Sequence, residues 1–337
     1  PRNLGDALTG AGESLAASRQ RLARTLAALV AGDEDEAAKL AQGLDTDASV
    51  TTSELEFVKR WLAHAELLPN SASASRPSPL LHAATLGLML RTAEKQLETR
   101  QKPRSTCELL SQVMLEELSA EWATDAAALR RWAELLRRAQ TDHRWRRDGD
   151  WPALELTVAK GDSLITVRKR ALEQDPALVL CTGLIARANQ LSRDLIHPGQ
   201  VLRIPTQRVR MLVDLSAHWT YLLAGDEVVG AWEVGVGKPG QDTQPGTYYV
   251  GEKREEPMWF PPGEEPVPFG DARNPLGTRW IELRTPAGEV THLGFHGTND
   301  PASVGSDASL GCVRLRNADV EELYEILPRG SEVRIQP

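Results

Sequence analysis

Long apolar runs are missing from this chain, and with them any segment of the length that a bilayer-spanning helix requires. An excess of positive charge is missing too: 39 Lys and Arg stand against 47 Asp and Glu, for a formal net charge of -8. That balance gives no electrostatic reason to expect nucleic acid as a partner. The one short basic cluster, HRWRRDGD over 143–150, is interrupted by acids and reads as a solvated helix end. Cysteine is scarce. Cys107, Cys181 and Cys312 are odd in number and far apart, which excludes a disulfide framework and leaves the redox compartment undecided. There is no initiator Met and no signal peptide at Pro1, so the chain is expected to be a mature or trimmed form from which any export signal or membrane anchor has been removed.

What is present is the composition of a soluble globular protein, 41% apolar and 26% charged. Its 337 residues are enough for two or three domains, at a prior of about 150 residues each. The chain divides by pattern into segments 1–150, 151–206 and 207–337. In the first, RLARTLAALV, SELEFVKRWLAHAELL and DAAALRRWAELLRRA carry apolar residues at helical spacing. Ser53 followed by Glu56 resembles a capping box, and the Ser/Pro-rich stretch from Pro69 to Pro79 is where helices must stop. The spacing predicts about five or six helices in an irregular bundle, with a helical-repeat scaffold as the alternative. Trp61, His64, His82, Trp122 and Trp132 are assigned to packing or partial exposure. The segment names no activity by itself.

Residues 155–205 read as a short strand, a Gly-Asp-Ser helix start, two helical segments, then Pro198-Gly199 turning into a last strand, a small β-α-α-β unit. Cys181 sits in an apolar run and is expected to be buried. TVAKGDSL, ARANQL and LIHPGQVLRIP stand where the LysM family has its first strand and helix start, its Asn after the second helix, and its closing turn and strand. The segment resembles that family throughout. The resemblance implies binding of N-acetylglucosamine-containing glycans such as peptidoglycan, with Gly161, Asp162, Ser163, Leu164, Asn189, Gln190, Leu191 and Ser192 as candidate contacts. The alternative is that Gly161 and Asp162 shape a helix cap and Asn189 a turn.

From Arg208 onward, Val/Leu/Tyr/Trp-rich runs are cut by Gly, Pro and Asp, which predicts a mainly β domain. Gly225-Asp226 is a two-residue hairpin turn. Helical spacing returns only in NADVEELYEIL, expected to be capped by Asn317 and stopped by Pro328 and Gly330. Within FHGTNDPASVGSDASLGCVRL, a glycine-containing loop separates His296 from Cys312. An imidazole that accepts the thiol proton would raise the nucleophilic thiolate fraction near neutral pH. Gly311 permits a tight turn in which the N–H groups of Leu310, Gly311 and Cys312 would converge on an oxyanion. Two other readings stay open on spacing alone: a small buried thiol, or a zinc site built from His292, His296 and Cys312.

HGTNDPASVG, SLGCVRLRNADVEELYEILPRGSEV and, upstream, VGVGKPGQDTQPGTYYV and NPLGTRWIEL resemble the ordered motifs of the L,D-transpeptidases with a YkuD-type domain, over roughly Arg208 to Pro337. The resemblance implies a β-sandwich-like catalytic domain that needs no cofactor or metal. It also implies a reaction in which Cys312 attacks the carbonyl of the L-centre of residue three in a peptidoglycan tetrapeptide stem and expels D-alanine. A thioester acyl-enzyme remains, resolved by an amine to a 3→3 cross-link or by water. Carried over by residue, His296 is the general base, Cys312 the nucleophile and Gly311 part of the oxyanion loop. Gly297 and Thr298 shape the turn that aims His296, and Ser309 hydrogen-bonds within the loop. Arg314 binds substrate carboxylate, braces the loop or makes an intradomain ion pair. Leu310 departs from the family, which commonly has His, Arg or Lys there; its backbone N–H survives the change, and its side chain is expected to anchor the loop by burial.

Two alternatives to the transferase accompany this reading: an L,D-carboxypeptidase on the same site, and a non-catalytic peptidoglycan-binding protein whose site has decayed. The implied partners are glycan strands and peptide stems, in an extracytoplasmic location, periplasm or cell wall. The helical region is read as positioning the enzyme or binding another envelope protein.

Overall fold

The structure, a computed structural model, describes residues 17–31, 33–42, 44, 50, 54–55, 58–59, 79–99, 106–111, 126–142, 145, 151–192, 195–261 and 263–337. The proposed capping box at Ser53 and Glu56, the connection from Pro69, Trp61, His64, Trp122, the side chain of His82 and most of the 143–150 cluster lie outside the described residues. The chain forms two compact units, residues 1–102 with 124–132 and residues 103–123 with 133–337.

In the first unit, α1 (Ala17–Ala31) packs against α2 (Glu34–Ala41) and α3 (Pro79–Thr99). Asp33 caps α2 by accepting the Glu36 N–H at 3.0 Å. Leu22, Leu26 and Leu29 recur at helical spacing and, with Ala37, Leu44, Val58 and Leu88, make a dry core. Arg91 of α3 ties the end of α1 by donating to the Leu29 carbonyl at 3.0 Å. Trp132, on α4 (Ala126–Asp142), is buried.

The second unit holds the β-α-α-β segment and the β-rich segment. β1 (Ala153–Thr157) pairs antiparallel with β2 (Val201–Pro205), and α5 (Leu164–Gln174) and α6 (Thr182–Ala188) connect them. Ser163 caps α5 through a capping box with Thr166. Trp145 is buried and lies 4.6 Å from Trp151, so this part of the basic cluster is not the solvated end expected of it.

The remaining strands are β3 (Val209–Asp214), β4 (Trp219–Ala224), β5 (Glu227–Glu233), β6 (Val236–Gly237), β7 (Gly246–Glu255), β8 (Arg279–Arg284), β9 (Val290–His296), β10 (Asp307–Ser309), β11 (Val313–Arg314) and β12 (Glu332–Gln336), with α7 (Asn317–Ile326) before the last. Eight of them form one mixed sheet in the order β11-β9-β8-β7-β12-β3-β4-β5, while β10 and β6 pair separately. This is the mostly-β sheet of the C-terminal segment; it has register shifts in β4/β5, β7/β8 and β8/β9, and a bridge from Gly235 to Arg314 brings the chain just past β5, at one edge, to β11 at the other. The Gly225-Asp226 turn joins β4 to β5.

Arg316, not Asn317, holds the N-cap position of α7, with no side-chain cap hydrogen bond, and Asn317 is the first helical residue. A Cβ at Gly183 of α6 would fall 2.1 Å from the Glu325 carbonyl oxygen, so only glycine lets α6 lie this close to α7. Arg187 of α6 pairs with Glu322 of α7. Cys181 is half-buried rather than fully buried, its Sγ donating to the Glu325 carbonyl at 3.1 Å. The cores of both segments merge into one cluster that includes Leu184, Ile204, Met211 and Leu323.

Candidate active site

Strand register draws the two ends of the FHGTNDPASVGSDASLGCVRL stretch together. β11 pairs in parallel with β9, Val313 opposite Phe295 and Arg314 opposite His296. Cys312, one residue earlier, therefore falls level with Gly294. Alternate strand residues share a face, so Cys312 and His296 project to the same side. The Trp280 ring covers that side: its edge would lie 2.8 Å from a Cβ at Gly294, and it stacks on His296 with centroids 5.9 Å apart.

His296 is buried, and its Nδ1 donates to the Gly297 carbonyl at 2.5 Å when that nitrogen carries the proton. Burial lowers its pKa to about 4; the Gly297 and Leu276 carbonyls oppose that shift and the Arg314 charge reinforces it. Cys312 is only partly exposed. Burial raises its thiol pKa, with the Gly294 backbone and the Arg314 charge pulling the other way. Its Sγ donates to the His292 carbonyl at 3.3 Å. Burial thus disfavours the charged form of both groups, and each is hydrogen-bonded to backbone.

The loop before Cys312 is internally fixed. Ser309 is fully buried, and its Oγ donates to the Cys312 carbonyl at 2.6 Å while accepting the Gly311 N–H at 3.0 Å. Gly311 has φ +113, a conformation that suits glycine. Its N–H is therefore committed inside the loop, whereas the N–H groups of Leu310 and Cys312 enter none of the loop's hydrogen bonds. Leu310 is 59% exposed, which overturns the expectation of a buried anchor.

Arg314 is half-buried, its Nε has no partner, and none of the ion pairs among the described residues involves it. Burial draws its pKa down, while Cys312 and Asp300 act to raise it. Thr298 is buried, and its Oγ1 accepts the Asp300 N–H at 3.0 Å. No three His, Cys, Asp or Glu side chains among the described residues are grouped to hold a metal ion, and His292 contributes to Cys312 through its carbonyl alone.

Sequence reasoning missed several contributors. Trp280 is legible only once the β8/β9 register sets it opposite His296. The carbonyls of Gln241 and Asp242, 3.5 and 3.8 Å from a Cβ position at Gly311, carry no side-chain signal at all.

In the β-α-α-β segment most named residues are committed to the fold. Asp162 accepts the Ala159 N–H at 2.7 Å, which leads the causes that lower its pKa, and also pairs with Arg170. Ser163 caps α5 and Leu164 is core. Asn189 is buried, donating to the Ile185 and Arg203 carbonyls and accepting the Arg203 N–H at 2.8 Å. Leu191 packs against the core. Gly161, Gln190 and Ser192 are exposed, and so are Ile165 in the first turn of α5 and Leu195 between α6 and β2, 70% and 64% exposed, which the sequence reading did not name.

Comparison with known proteins decides the family. A family model for the L,D-transpeptidase catalytic domain matches residues 208–335, and one for the LysM domain matches 156–205. The YkuD protein of Bacillus licheniformis, which carries the L,D-transpeptidase name, is 31% identical over 173 residues, 51% of this chain and 88% of that one. The chain belongs to the L,D-transpeptidase family. The YqjB relative from Bacillus subtilis is 33% identical over 125 residues, 37% of this chain and 69% of its own. The solved catalytic domain of the Enterococcus faecium L,D-transpeptidase is 20% identical, with a TM-score of 0.31 over 39% of this chain and 98% of that one, a likeness too slight to bear on the site. This L,D-transpeptidase thus joins a YkuD-type domain to a LysM domain, and none of its described helices is long and apolar enough to cross a membrane.

Proposed function

We propose that this L,D-transpeptidase acts on peptidoglycan tetrapeptide stems, with Cys312 as nucleophile and His296 as general base. The observation that carries this reading is the β9/β11 register, which sets Cys312 and His296 on one face while the Gly297 carbonyl holds the imidazole. With Nδ1–H donated to Gly297, Nε2 is the basic nitrogen. It takes the thiol proton as Sγ attacks the carbonyl at the L-centre of residue three, then returns it to the leaving nitrogen of D-alanine. The C–N bond breaks, leaving a thioester on Cys312. Because the thiol and imidazole rest neutral, proton transfer accompanies attack.

The Leu310 and Cys312 N–H groups are the oxyanion donors in this reading, and Gly311 serves by its conformation, since its own N–H is held by Ser309. Arg314, a half-buried cation without an ion pair, takes a substrate carboxylate. Exposed Leu310 meets the stem. An acceptor amine then attacks the thioester to form a 3→3 cross-link. The LysM unit holds the glycan strand through the start of α5 and the connection from α6 to β2, where Ile165 and Leu195 offer apolar surface to sugar rings, and the protein works outside the cytoplasm on the wall. The domain limits that fit this division of labour are 151–206 for glycan binding and 207–337 for catalysis, with 1–150 positioning the enzyme or meeting an envelope protein. Incubation with purified disaccharide-tetrapeptide, read by mass spectrometry, tests the proposal: cross-linked dimer with D-alanine release is expected. Tripeptide alone would make the enzyme a carboxypeptidase, and unchanged substrate would contradict the reading.

A further inference from the structure

Asn317 lies five residues after Cys312 at the start of α7, and it does not fill the cap position expected of it, which Arg316 occupies without a side-chain cap bond. Its side chain turns elsewhere. Asn317 Oδ1 accepts the Thr298 N–H at 3.0 Å and the Thr278 N–H at 3.3 Å. Two glycines make room for it: a Cβ at Gly297 would lie 2.1 Å from Oδ1, and one at Gly277 2.3 Å. No other residue type fits at either place without moving the carboxamide.

The Thr298 N–H and the Gly297 C=O belong to one peptide unit, which is planar, so fixing one end aims the other. The Gly297 carbonyl is the group that accepts from His296 Nδ1. A continuous chain therefore runs from the Asn317 carboxamide through the Gly297–Thr298 peptide to the imidazole, each hydrogen bond polarising the next. The second bond, to Thr278, holds the segment next to Gly277 and Leu276, whose carbonyl also acts on His296. We infer that Asn317 is a positioning residue for the reaction, orienting His296 and fixing its Nδ1–H tautomer through the Gly297–Thr298 peptide. The inference deepens, and rests on, the assignment of His296 as general base.

The test uses the full chain labelled with ¹⁵N-histidine, with the His296 signals assigned by difference from His296→Gln. The native protein should show a single Nδ1–H tautomer at His296. In Asn317→Ala the signal should become a tautomer mixture, and kcat for D-alanine release from disaccharide-tetrapeptide should fall by about 10²-fold with KM changed less than about twofold. Asn317→Asp keeps an acceptor of the same reach, so it should keep the Nδ1–H tautomer and stay within about tenfold of the native kcat. A folded Asn317→Ala protein with the native tautomer and rate would overturn the inference. If that variant does not fold, a folded Asn317→Asp protein that has lost the tautomer does so instead. Should His296→Ala remain active, the base assignment fails, while the tautomer measurement still reports on Asn317.

Discussion

Ser309 and Cys312 are joined across the catalytic turn by a 2.6 Å hydrogen bond from the serine Oγ to the cysteine carbonyl. The same oxygen accepts the Gly311 N–H at 3.0 Å, so one buried hydroxyl sets the pitch of the turn on which the sulfur sits. Ser309→Ala strands both backbone groups. A loss of about 1–3 kcal/mol in unfolding free energy is expected, with slower acylation of Cys312, while Ser309→Thr retains the hydroxyl and should restore much of both. Denaturant unfolding of the two variants checks this.

The pH dependence follows from His296. Its folded pKa of about 4 lies below the ordinary 6.5, so the unfolded chain takes up a proton first as the pH falls. Stability from this group is complete above pH 6.5 and is lost on descent to about 4, amounting to about 3 kcal/mol. In kcat/KM the base is already deprotonated at pH 5, and the raised thiol pKa keeps the alkaline limb above the usual cysteine range. The profile should therefore be flat from pH 5 to 8; an acid limb centred near 6.5 would contradict the buried, neutral imidazole.

The segment order and the hairpin at Gly225-Asp226 were legible in the sequence, because turn chemistry and apolar periodicity are local signals. Other features were not, because they arise from contacts distant in the chain. Trp280 reaches His296 only through strand register, and Asn317 looks like a helix cap until a neighbouring turn supplies two N–H donors. Alternation fixes which face is buried but not which strands are neighbours, so the order β11-β9-β8-β7-β12-β3-β4-β5 was not legible. Asp162 and Asn189 were read as possible sugar contacts from type and position, yet their polar atoms are satisfied within the fold.

Leu310 stands exposed at the position where the family resemblance leads one to expect a basic or imidazole side chain, so activity here depends on whether that side chain matters. Backbone donors do not change with it. Leu310→His should alter kcat/KM by less than about tenfold, whereas His296→Ala should abolish D-alanine release. A silent native enzyme awakened by Leu310→His would show a decayed site.

Glycan capture is expected to depend on the exposed apolar pair of the LysM unit, Ile165 and Leu195. The double change Ile165→Asp and Leu195→Asp alters no buried position, so the fold should persist. Sedimentation with insoluble sacculi should fall severalfold while turnover of soluble disaccharide-tetrapeptide is unchanged. Undiminished sedimentation would place the glycan elsewhere.

The central claim is that Cys312 forms the acyl-enzyme, and intact-protein mass spectrometry after exposure to a carbapenem tests it most directly. The account predicts one adduct per chain, present when Cys107 and Cys181 are both replaced by Ser and absent in Cys312→Ser. An adduct that survives Cys312→Ser, or that maps to Cys107 or Cys181, would contradict it.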